Sequence, residues 1–235
     1  MPAGQDTNNC RPRESPVSAG FDLAQTDHLL TTTRAVRKRL DFTRAVEPKV
    51  LLDCIQIASQ APSGSNAQRW RWIVVTDPEK KKTVAHYYAL SFKDYIAPKL
   101  DLIEPGDHAS VRMTDSASYL AEHMAEVPAL VIPCVLDRPP EASGGEQSAG
   151  FWGGILPAVW SFQLALRSRG LGSAWTTLHL NYEKEVGDAL GVPPTVTQAA
   201  LLPVAYYTGT DFKPAPRRAA EELTYWDEWK ATRSL

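Results

Sequence analysis

The sequence has little of what membrane, secreted or nucleic-acid-binding proteins carry. Its formal net charge is −2 over 235 residues, so the whole chain has no field that attracts nucleic acid or an acidic membrane. The longest apolar runs, 129–136 and 199–207, are far shorter than the ~18–20 residues of a membrane span. The first 26 residues are polar and lack the apolar core of a secretory signal. We therefore expect a cytoplasmic protein with no nucleic-acid or membrane partner.

Cysteine is scarce and histidine is scattered. The three cysteines, Cys10, Cys54 and Cys134, show no C-x-x-C spacing, which argues against a disulfide framework and against a thiolate metal site. Cys54 and Cys134 stand among apolar residues and are typical of small buried side chains. We assign no metal site and no catalytic acid or base. The histidines are isolated and are predicted to be surface or hydrogen-bonded structural residues: His28, His86, His108, His123 and His179.

Familiar nucleotide and hydrolase motifs are missing as well. The chain contains no G-x-x-x-x-G-K-[ST] phosphate loop, no H-E-x-x-H and no G-x-S-x-G. Gly170-Leu171-Gly172 lacks the third glycine of a dinucleotide fingerprint and follows a helical pattern instead of a strand. ATPase, Rossmann, zinc-protease and α/β-hydrolase functions therefore lose their main support.

What the sequence has is an ordinary globular composition, with 43% hydrophobic and 22% charged residues. Residues 1–25 show no periodicity and are predicted to be a flexible arm, which leaves 26–235 as a single domain. Helical and strand patterns alternate along that domain, but two helices precede the first strand. This order favours an α+β layered domain over a doubly wound one.

Apolar periodicity places the predicted elements along the chain. We expect helices from Thr26, Pro48 and Pro78 and over 113–125, 151–169 and 182–190, and strands over 70–76, 129–136, 174–180 and 199–207. The first helix is expected to run past Val36 into a basic segment. Asn181 is expected to cap the last helix and Gly191 to end it. The stretch 137–150 is predicted to be a loop and a candidate lid.

The helix predicted over 151–169 is apolar almost all round. Such a helix must be buried on most faces, which places it at the centre of the protein or in a dimer interface. Pro157 either kinks this helix or marks its effective start.

The basic segment Arg34–Arg39 allows two interpretations. It is either a solvated basic face at the negative end of a helix dipole, or a phosphate site, because guanidinium groups bind phosphate oxygens in bidentate fashion. Arg34 and Arg37 are three residues apart, so on a helix they would share one face and could close on one dianion.

Two further segments carry polar side chains suited to a ligand. Between a predicted helix and strand, residues 62–70 hold two hydroxyls, two amides and a guanidinium in a glycine-containing turn. By itself this is a polar turn, but amides offer both a donor and an acceptor, which suits the uracil-like edge of a flavin. The pair Arg217-Arg218 alone is typical of solvated charge.

Together these segments resemble the nitroreductase family of FMN enzymes, in order and in spacing. The family's R-[S/A]-x-R corresponds to Arg34–Arg37, A-P-S-x-x-N-x-Q-x-W is matched in full by Ala61–Trp70, and G-L-G-S by Gly170–Ser173. The resemblance covers about residues 27–220, and the whole pattern is especially similar to that of mycobacterial-type members of the family. It implies a nitroreductase-like three-layer fold, with a central, mostly antiparallel sheet flanked by helices. It also implies a homodimer with FMN at the interface.

The resemblance also implies which residues bind the cofactor. Arginines would hold the FMN phosphate and ribityl chain, the loop after Ala61 would meet the ribityl chain and the pyrimidine edge, and a threonine pair would give a backbone N–H to flavin N5. The positions are Arg34, Ala35, Arg37, Pro62, Ser63, Ser65, Asn66, Gln68, Thr176, Thr177, Arg217 and Arg218.

The chain departs from the family pattern at two places. Many relatives have an arginine where Thr33 stands and a serine where Ala35 stands, so one phosphate contact would be missing, with Lys38 or Arg39 compensating. Many also have an acidic residue and glycines where this chain has 175–178. That difference leaves the residues at flavin N5 open.

The expected activity is a ping-pong reaction in which NADH or NADPH reduces FMN and a nitroaromatic, quinone or related small molecule accepts the electrons. Alternatives on the same fold are reductive dehalogenation, enone reduction and flavin cleavage. A non-catalytic flavin-binding or nucleic-acid-binding module is a third alternative, and the net charge disfavours nucleic acid.

Overall fold

The computed structural model describes residues 20–140 and 145–233, so most of the predicted arm lies outside the described residues. The helices are α1 (Leu23–Thr32), α2 (Pro48–Ala58), α3 (Pro78–Leu100), α4 (His108–His123), α5 (Gly145–Gly153), α6 (Leu156–Arg167), α7 (Glu183–Leu190) and α8 (Ala220–Leu223). The strands are β1 (Trp70–Val75), β2 (Ala129–Val135), β3 (Leu171–Ser173), β4 (Thr197–Gln198) and β5 (Leu202–Tyr206). Short 3₁₀ turns cover Gly64–Asn66, Met124–Glu126 and Leu178–Tyr182.

The sheet is built around β2, in the strand order β1-β2-β5-β3, with the short β4 pairing beside β2. Every ladder among these strands is antiparallel. The segment after α1 adds a parallel bridge at the far edge, where Ala35 lies opposite Ser173. The prediction of a mostly antiparallel sheet is therefore confirmed.

Helices cover both faces of the sheet. All of β2 is buried, and its alternate residues enter two different apolar clusters, as the period of a strand requires. Leu130 and Ile132 pack with residues of α3 and α4, such as Phe92. Val131 packs on the opposite face with residues of α2 and α6, such as Phe162. The three-layer α+β prediction is confirmed.

The first helix differs from its prediction at both ends. Asp22 caps α1, because its side chain accepts the Gln25 N–H at 3.0 Å, and the helix therefore begins before Thr26. It ends at Thr32, so the prediction that Arg34–Arg39 is helical was wrong. Pairing with the sheet edge overrides helix propensity there, since the Val36 N–H donates to the Ser173 carbonyl at 2.8 Å.

The apolar stretch predicted as one helix over 151–169 is two helices, α5 and α6, with a break at Gly154 and Pro157 in the first turn of α6. The predicted loop 137–150 was wrong in its last part, because α5 already begins at Gly145. Gly145–Arg167 has the length and mean hydropathy (1.2) of a membrane span, but by composition only. The break and the buried face of α6 are typical of a core helix.

Burial of these two helices is one-sided. Residues of α6 such as Val159 and Phe162 are fully buried, whereas Leu156 and Trp160 are exposed and α5 buries no side chain. The expectation of burial on most faces therefore holds for α6, where ten of twelve residues are buried or half-buried, but it is wrong for α5. Leu156 and Trp160 of α6 are left as exposed apolar side chains.

The region after α6 also differs from prediction. The strand predicted over 174–180 is instead β3, which ends at Ser173 and is followed by a 3₁₀ turn. Asn181 does not cap α7, which begins at Glu183. Gly191 ends α7 in the left-handed conformation at φ 70°, as predicted.

Gly172 allows the close contact between β3 and the segment after α1. A Cβ atom built on Gly172 would lie 2.8 Å from Val36 Cβ, closer than packed carbon atoms approach. We expect Gly172→Ala to reduce the free energy of unfolding by about 1–3 kcal/mol through overpacking, measured by denaturant titration. Gly153→Ala is the control, because nothing lies within 4 Å of its added Cβ. Equal effects of the two substitutions would contradict this contact.

His179 is the exception among the histidines. It is 0% exposed, and neither ring nitrogen has a hydrogen-bond partner among the described residues. The prediction of a surface or hydrogen-bonded histidine was therefore wrong here. Burial lowers the pKa of His179 to about 4, against an opposing effect of Glu183, so the ring is neutral in the folded protein at pH 7.

This burial predicts acid sensitivity. Between pH ~6.5 and ~4 the unfolded chain binds a proton at His179 that the folded chain does not, so stability falls as the pH is lowered, by at most about 1.4 kcal/mol per pH unit. We expect His179→Gln to flatten this part of the stability profile, measured by chemical unfolding across the range. The exposed His108→Gln serves as the control. Parallel profiles for wild type and His179→Gln would contradict the prediction.

Candidate functional site

A cleft of about 640 Å³ opens beside the start of β1. One wall is the polar loop before β1, and the other is formed by the end of β2 with α5 and the start of α6. The lining mixes small, aromatic and charged side chains: Ser63, Gly64, Ser65, Ala67, Gln68, Arg69, Trp70, Val135, Asp137, Arg138, Pro140, Gln147, Gly150, Phe151, Gly154 and Ile155.

The polar loop is held in a strained backbone conformation. Ser65, Asn66 and Gln68 have φ angles of 52°, 51° and 47°, a region that costs non-glycine residues about 1 kcal/mol or more each. The Gln68 N–H donates to Ser63 Oγ at 3.3 Å, and Gln68 Nε2 donates to Asn66 Oδ1 at 2.8 Å. The other side-chain amide atoms, Asn66 Nδ2 and Gln68 Oε1, belong to exposed residues and have no partner among the described residues. Pro62 is exposed at the loop's entry.

Two ion pairs involve charged residues of the cleft lining. Arg69 Nη1 donates to Asp137 Oδ2 at 2.6 Å, and both terminal nitrogens of Arg138 bind the carboxylate of Glu183 at 2.9 and 2.8 Å. Burial opposes ionisation of Glu183, but hydrogen bonds from Arg138 and from the Gln198 N–H outweigh it and hold its pKa below the usual value. Sequence reasoning missed both pairs, since the partners lie far apart in the chain.

The basic segment lies at the opposite edge of the sheet. Arg34 Nη1 donates to the Lys213 carbonyl at 3.3 Å. Lys38 pairs with Asp115, and Arg39 binds the Thr208 carbonyl at 2.7 Å and stacks on Phe212. Lys38 and Arg39 are therefore engaged within the chain, which weakens the expectation that they replace a missing phosphate contact.

The extended backbone changes the argument for Arg34 and Arg37. Because α1 ends at Thr32 and Ala35 forms a bridge to Ser173, the prediction that Arg34 and Arg37 share one helix face was wrong. Arg37 lies close enough to the buried Tyr88 to lower its phenol pKa, although burial prevails and raises that pKa to about 12. Ala35 and Arg37 line the same small surface pocket as Phe212.

The threonine pair and the C-terminal arginines are placed differently. The Thr176 N–H is already bonded to the Leu201 carbonyl at 3.1 Å, whereas the exposed Thr177 N–H has no partner among the described residues. Within the described part of the chain, Arg217 bonds the carbonyl of its neighbour Pro216 at 2.9 Å. Arg218 lies exposed in a tail where every residue from 217 to 230 is exposed.

A single chain does not bring the predicted site residues together. The polar loop leads into β1 at one edge of the sheet, and Arg34–Arg37 joins β3 at the other. With neighbouring strands about 4.8 Å apart, the two segments are separated by on the order of 19 Å across the sheet.

Comparison with known proteins agrees with this architecture. Iodotyrosine deiodinase of Drosophila melanogaster is 26% identical over 159 residues, which make up 67% of this chain and 54% of the relative. The chain thus spans about half the length of that relative.

Two solved structures have the same fold. One is an oxidised iodotyrosine deiodinase bound to FMN and 3-iodo-L-tyrosine, with a TM-score of 0.60, 23% identity and coverage of 81% of this chain and 94% of the other. The second is the FMN-dependent nitroreductase NfnB from Mycobacterium smegmatis in complex with NADPH, with a TM-score of 0.61, 19% identity and coverage of 88% and 100%.

A model of the Nitroreductase family matches residues 30–206. The match includes the basic segment, the polar loop of the cleft and all five strands, and the chain therefore belongs to the nitroreductase family.

Proposed function

We propose that this protein is an FMN-dependent oxidoreductase that uses NADH or NADPH to reduce a nitroaromatic, quinone or related small molecule in a ping-pong cycle. The observation that carries the proposal is a set of guanidinium groups with no carboxylate partner among the described residues: Arg34, Arg37, Arg217 and Arg218. Unpaired guanidinium groups suit the dianionic phosphate of FMN.

The other candidate residues fit the remaining parts of FMN. Asn66 and Gln68 use only one amide atom each in bonding to one another, so a donor and an acceptor are left for a pyrimidine edge. Ser63 and Ser65, with Pro62 at the loop entry, suit the ribityl hydroxyls. Because the Thr176 N–H is occupied, the Thr177 N–H is the donor that we assign to flavin N5.

When bound, FMN supplies the hydride acceptor and donor of the reaction. The chain supplies orientation and electrostatics. Fixed N–H and amide donors at the ring edge would stabilise negative charge that develops during reduction. Trp70, Phe151 and Ile155 form an apolar part of the cleft lining, which would limit the access of water to a bound flavin. No side chain is assigned as an acid or base.

We also propose that the site is built across a homodimer interface, in a cytoplasmic protein whose residues 26–235 act as one domain. The separation of about 19 Å between the loop and the basic segment favours a site that takes each segment from a different subunit. The exposed apolar side chains Leu156 and Trp160 of α6 offer a surface for the second copy.

The relationship to iodotyrosine deiodinase favours a second candidate reaction, reductive dehalogenation at the same flavin. Anaerobic consumption of NADH and NADPH with nitrobenzene, a benzoquinone and 3-iodotyrosine as alternative acceptors decides between them. Efficient turnover of 3-iodotyrosine alone would replace nitro and quinone reduction as the proposed reaction.

The cofactor assignment is tested by the spectrum and thermal stability of the purified protein. We expect a bound flavin spectrum, bleaching by NADH or NADPH without oxygen, and stabilisation by added FMN of about 2.7 kcal/mol at 100 times the Kd. Arg37→Gln should weaken FMN binding at least about tenfold, whereas the exposed Arg71→Gln should not. A colourless protein that FMN fails to stabilise would disprove the proposal.

The composite site is tested by mixing two variants at an FMN concentration at which each variant alone is inactive. Arg37→Gln and Asn66→Ala each damage one of the two segments. If each site takes one segment from each subunit, a mixed dimer holds one doubly damaged and one intact site. Random reassociation then restores about a quarter of the wild-type activity. Mixtures that stay as inactive as the separate variants would place the whole site within one chain.

A further inference from the structure

Arg69 is a charged residue of the cleft that uses few of its five hydrogen-bond donors. It precedes β1, and its carbonyl accepts the Leu136 N–H at 2.8 Å, which extends the β1–β2 pairing by one residue. Among the described residues its guanidinium is bound through Nη1, to Asp137. Its side chain is 59% exposed, so the Nε and Nη2 edge stays open to a ligand.

The partner of Arg69 is itself fixed in place. Asp137 Oδ1 accepts the Arg138 N–H at 2.9 Å, and the Asp137 carbonyl accepts the Thr197 hydroxyl at 2.6 Å. Asp137 thus positions the Arg69 guanidinium from a backbone that is bonded to Thr197 of β4. A guanidinium oriented in this way loses little freedom when it binds an anion.

Arg138, the second cation of the lining, is neutralised by Glu183, which lies outside the lining. Arg138 uses both terminal nitrogens on Glu183 and also donates to the Val196 carbonyl at 3.1 Å. The described ionic residues of the lining are Arg69, Arg138 and Asp137. Glu183 compensates Arg138 and Asp137 compensates Arg69, so an incoming anion would bind through the open edge of the Arg69 guanidinium and not through a net positive charge of the cleft.

The surroundings of Arg69 indicate the shape of that ligand. Trp70, Phe151 and Ile155 form an apolar part of the lining, and Gly64 and Gly150 leave room beside it. An aromatic ring fits such a wall, and a planar carboxylate on the ring matches the free edge of the guanidinium in bidentate fashion.

We propose that Arg69 is a specificity-determining residue that selects electron acceptors with an aromatic ring and a carboxylate. This inference rests on the proposed function, because it takes the cleft to be the place where the acceptor meets the flavin. It concerns recognition only and adds no step to the reaction.

Binding of benzoate and benzamide to the FMN-saturated full chain tests the inference without turnover. We expect calorimetry to show that wild type binds benzoate at least about tenfold more tightly than benzamide, and that Arg69→Gln abolishes this preference. Arg69→Lys keeps the positive charge but lacks the paired N–H donors of a guanidinium, so it should lose most of the preference for benzoate. Arg71→Gln is the matched control, since it removes the same charge from an exposed position on β1 outside the lining, and it should keep the preference.

The inference is overturned if wild type shows no preference, if Arg69→Gln retains it, or if Arg71→Gln loses it too. KM values for NADPH and NADH, measured in the same variants, identify the alternative anion. A rise for NADPH alone in Arg69→Gln, with the benzoate preference intact, would assign the guanidinium to the co-substrate's phosphate. The flavin spectrum is recorded for every sample, so loss of FMN counts against the proposed function, and loss of the preference with FMN bound counts against Arg69 alone.

Discussion

The pairing of the segment after α1 with the edge of the sheet determines where the arginines of the proposed phosphate site lie. Three backbone hydrogen bonds hold this segment: the Val36 N–H donates to Ser173 at 2.8 Å, the Asp41 N–H to Tyr206 at 2.7 Å, and the Arg39 carbonyl accepts the Thr208 N–H at 2.8 Å. The close approach requires a glycine at position 172. The start of the C-terminal tail is bound to the same segment by Arg39. One sheet edge therefore positions Arg34–Arg39 together with the start of the tail that leads to Arg217 and Arg218.

Elements whose burial is decided locally could be predicted from the sequence. The helices beginning at Pro48 and Pro78 and the strands over 70–75 and 129–135 follow from periodicity and from their proline or apolar boundaries. The basic segment and the residues after Ser173 could not be predicted in this way. Their conformation is set by pairing with distant strands, which overrides local propensity.

The candidate site likewise has one part that the sequence predicts and one part that it does not. The polar loop was recognised from its motif, and the structure places Ser63, Ser65 and Gln68 in the wall of a cleft. The ion pairs of Arg69 and Arg138 join residues 68 and 45 positions apart, and no local pattern indicates such pairs. The sequence also gives no means to tell which arginines are engaged. In the folded chain Arg39 binds a backbone carbonyl and Arg138 binds Glu183, whereas Arg37 and Arg218 have no carboxylate partner among the described residues. Which arginines stay available for a ligand therefore depends on the fold.

The left-handed backbone at Ser65, Asn66 and Gln68 has a consequence for how this loop can change. Glycine would adopt these angles with less strain, so replacements there would relieve the backbone while removing the hydroxyl and amide groups that face the cleft. Stability and ligand recognition thus favour different residues at the same positions. Selection of this protein for heat resistance alone would drift toward glycine in the loop and lose its binding groups, unless activity were selected at the same time.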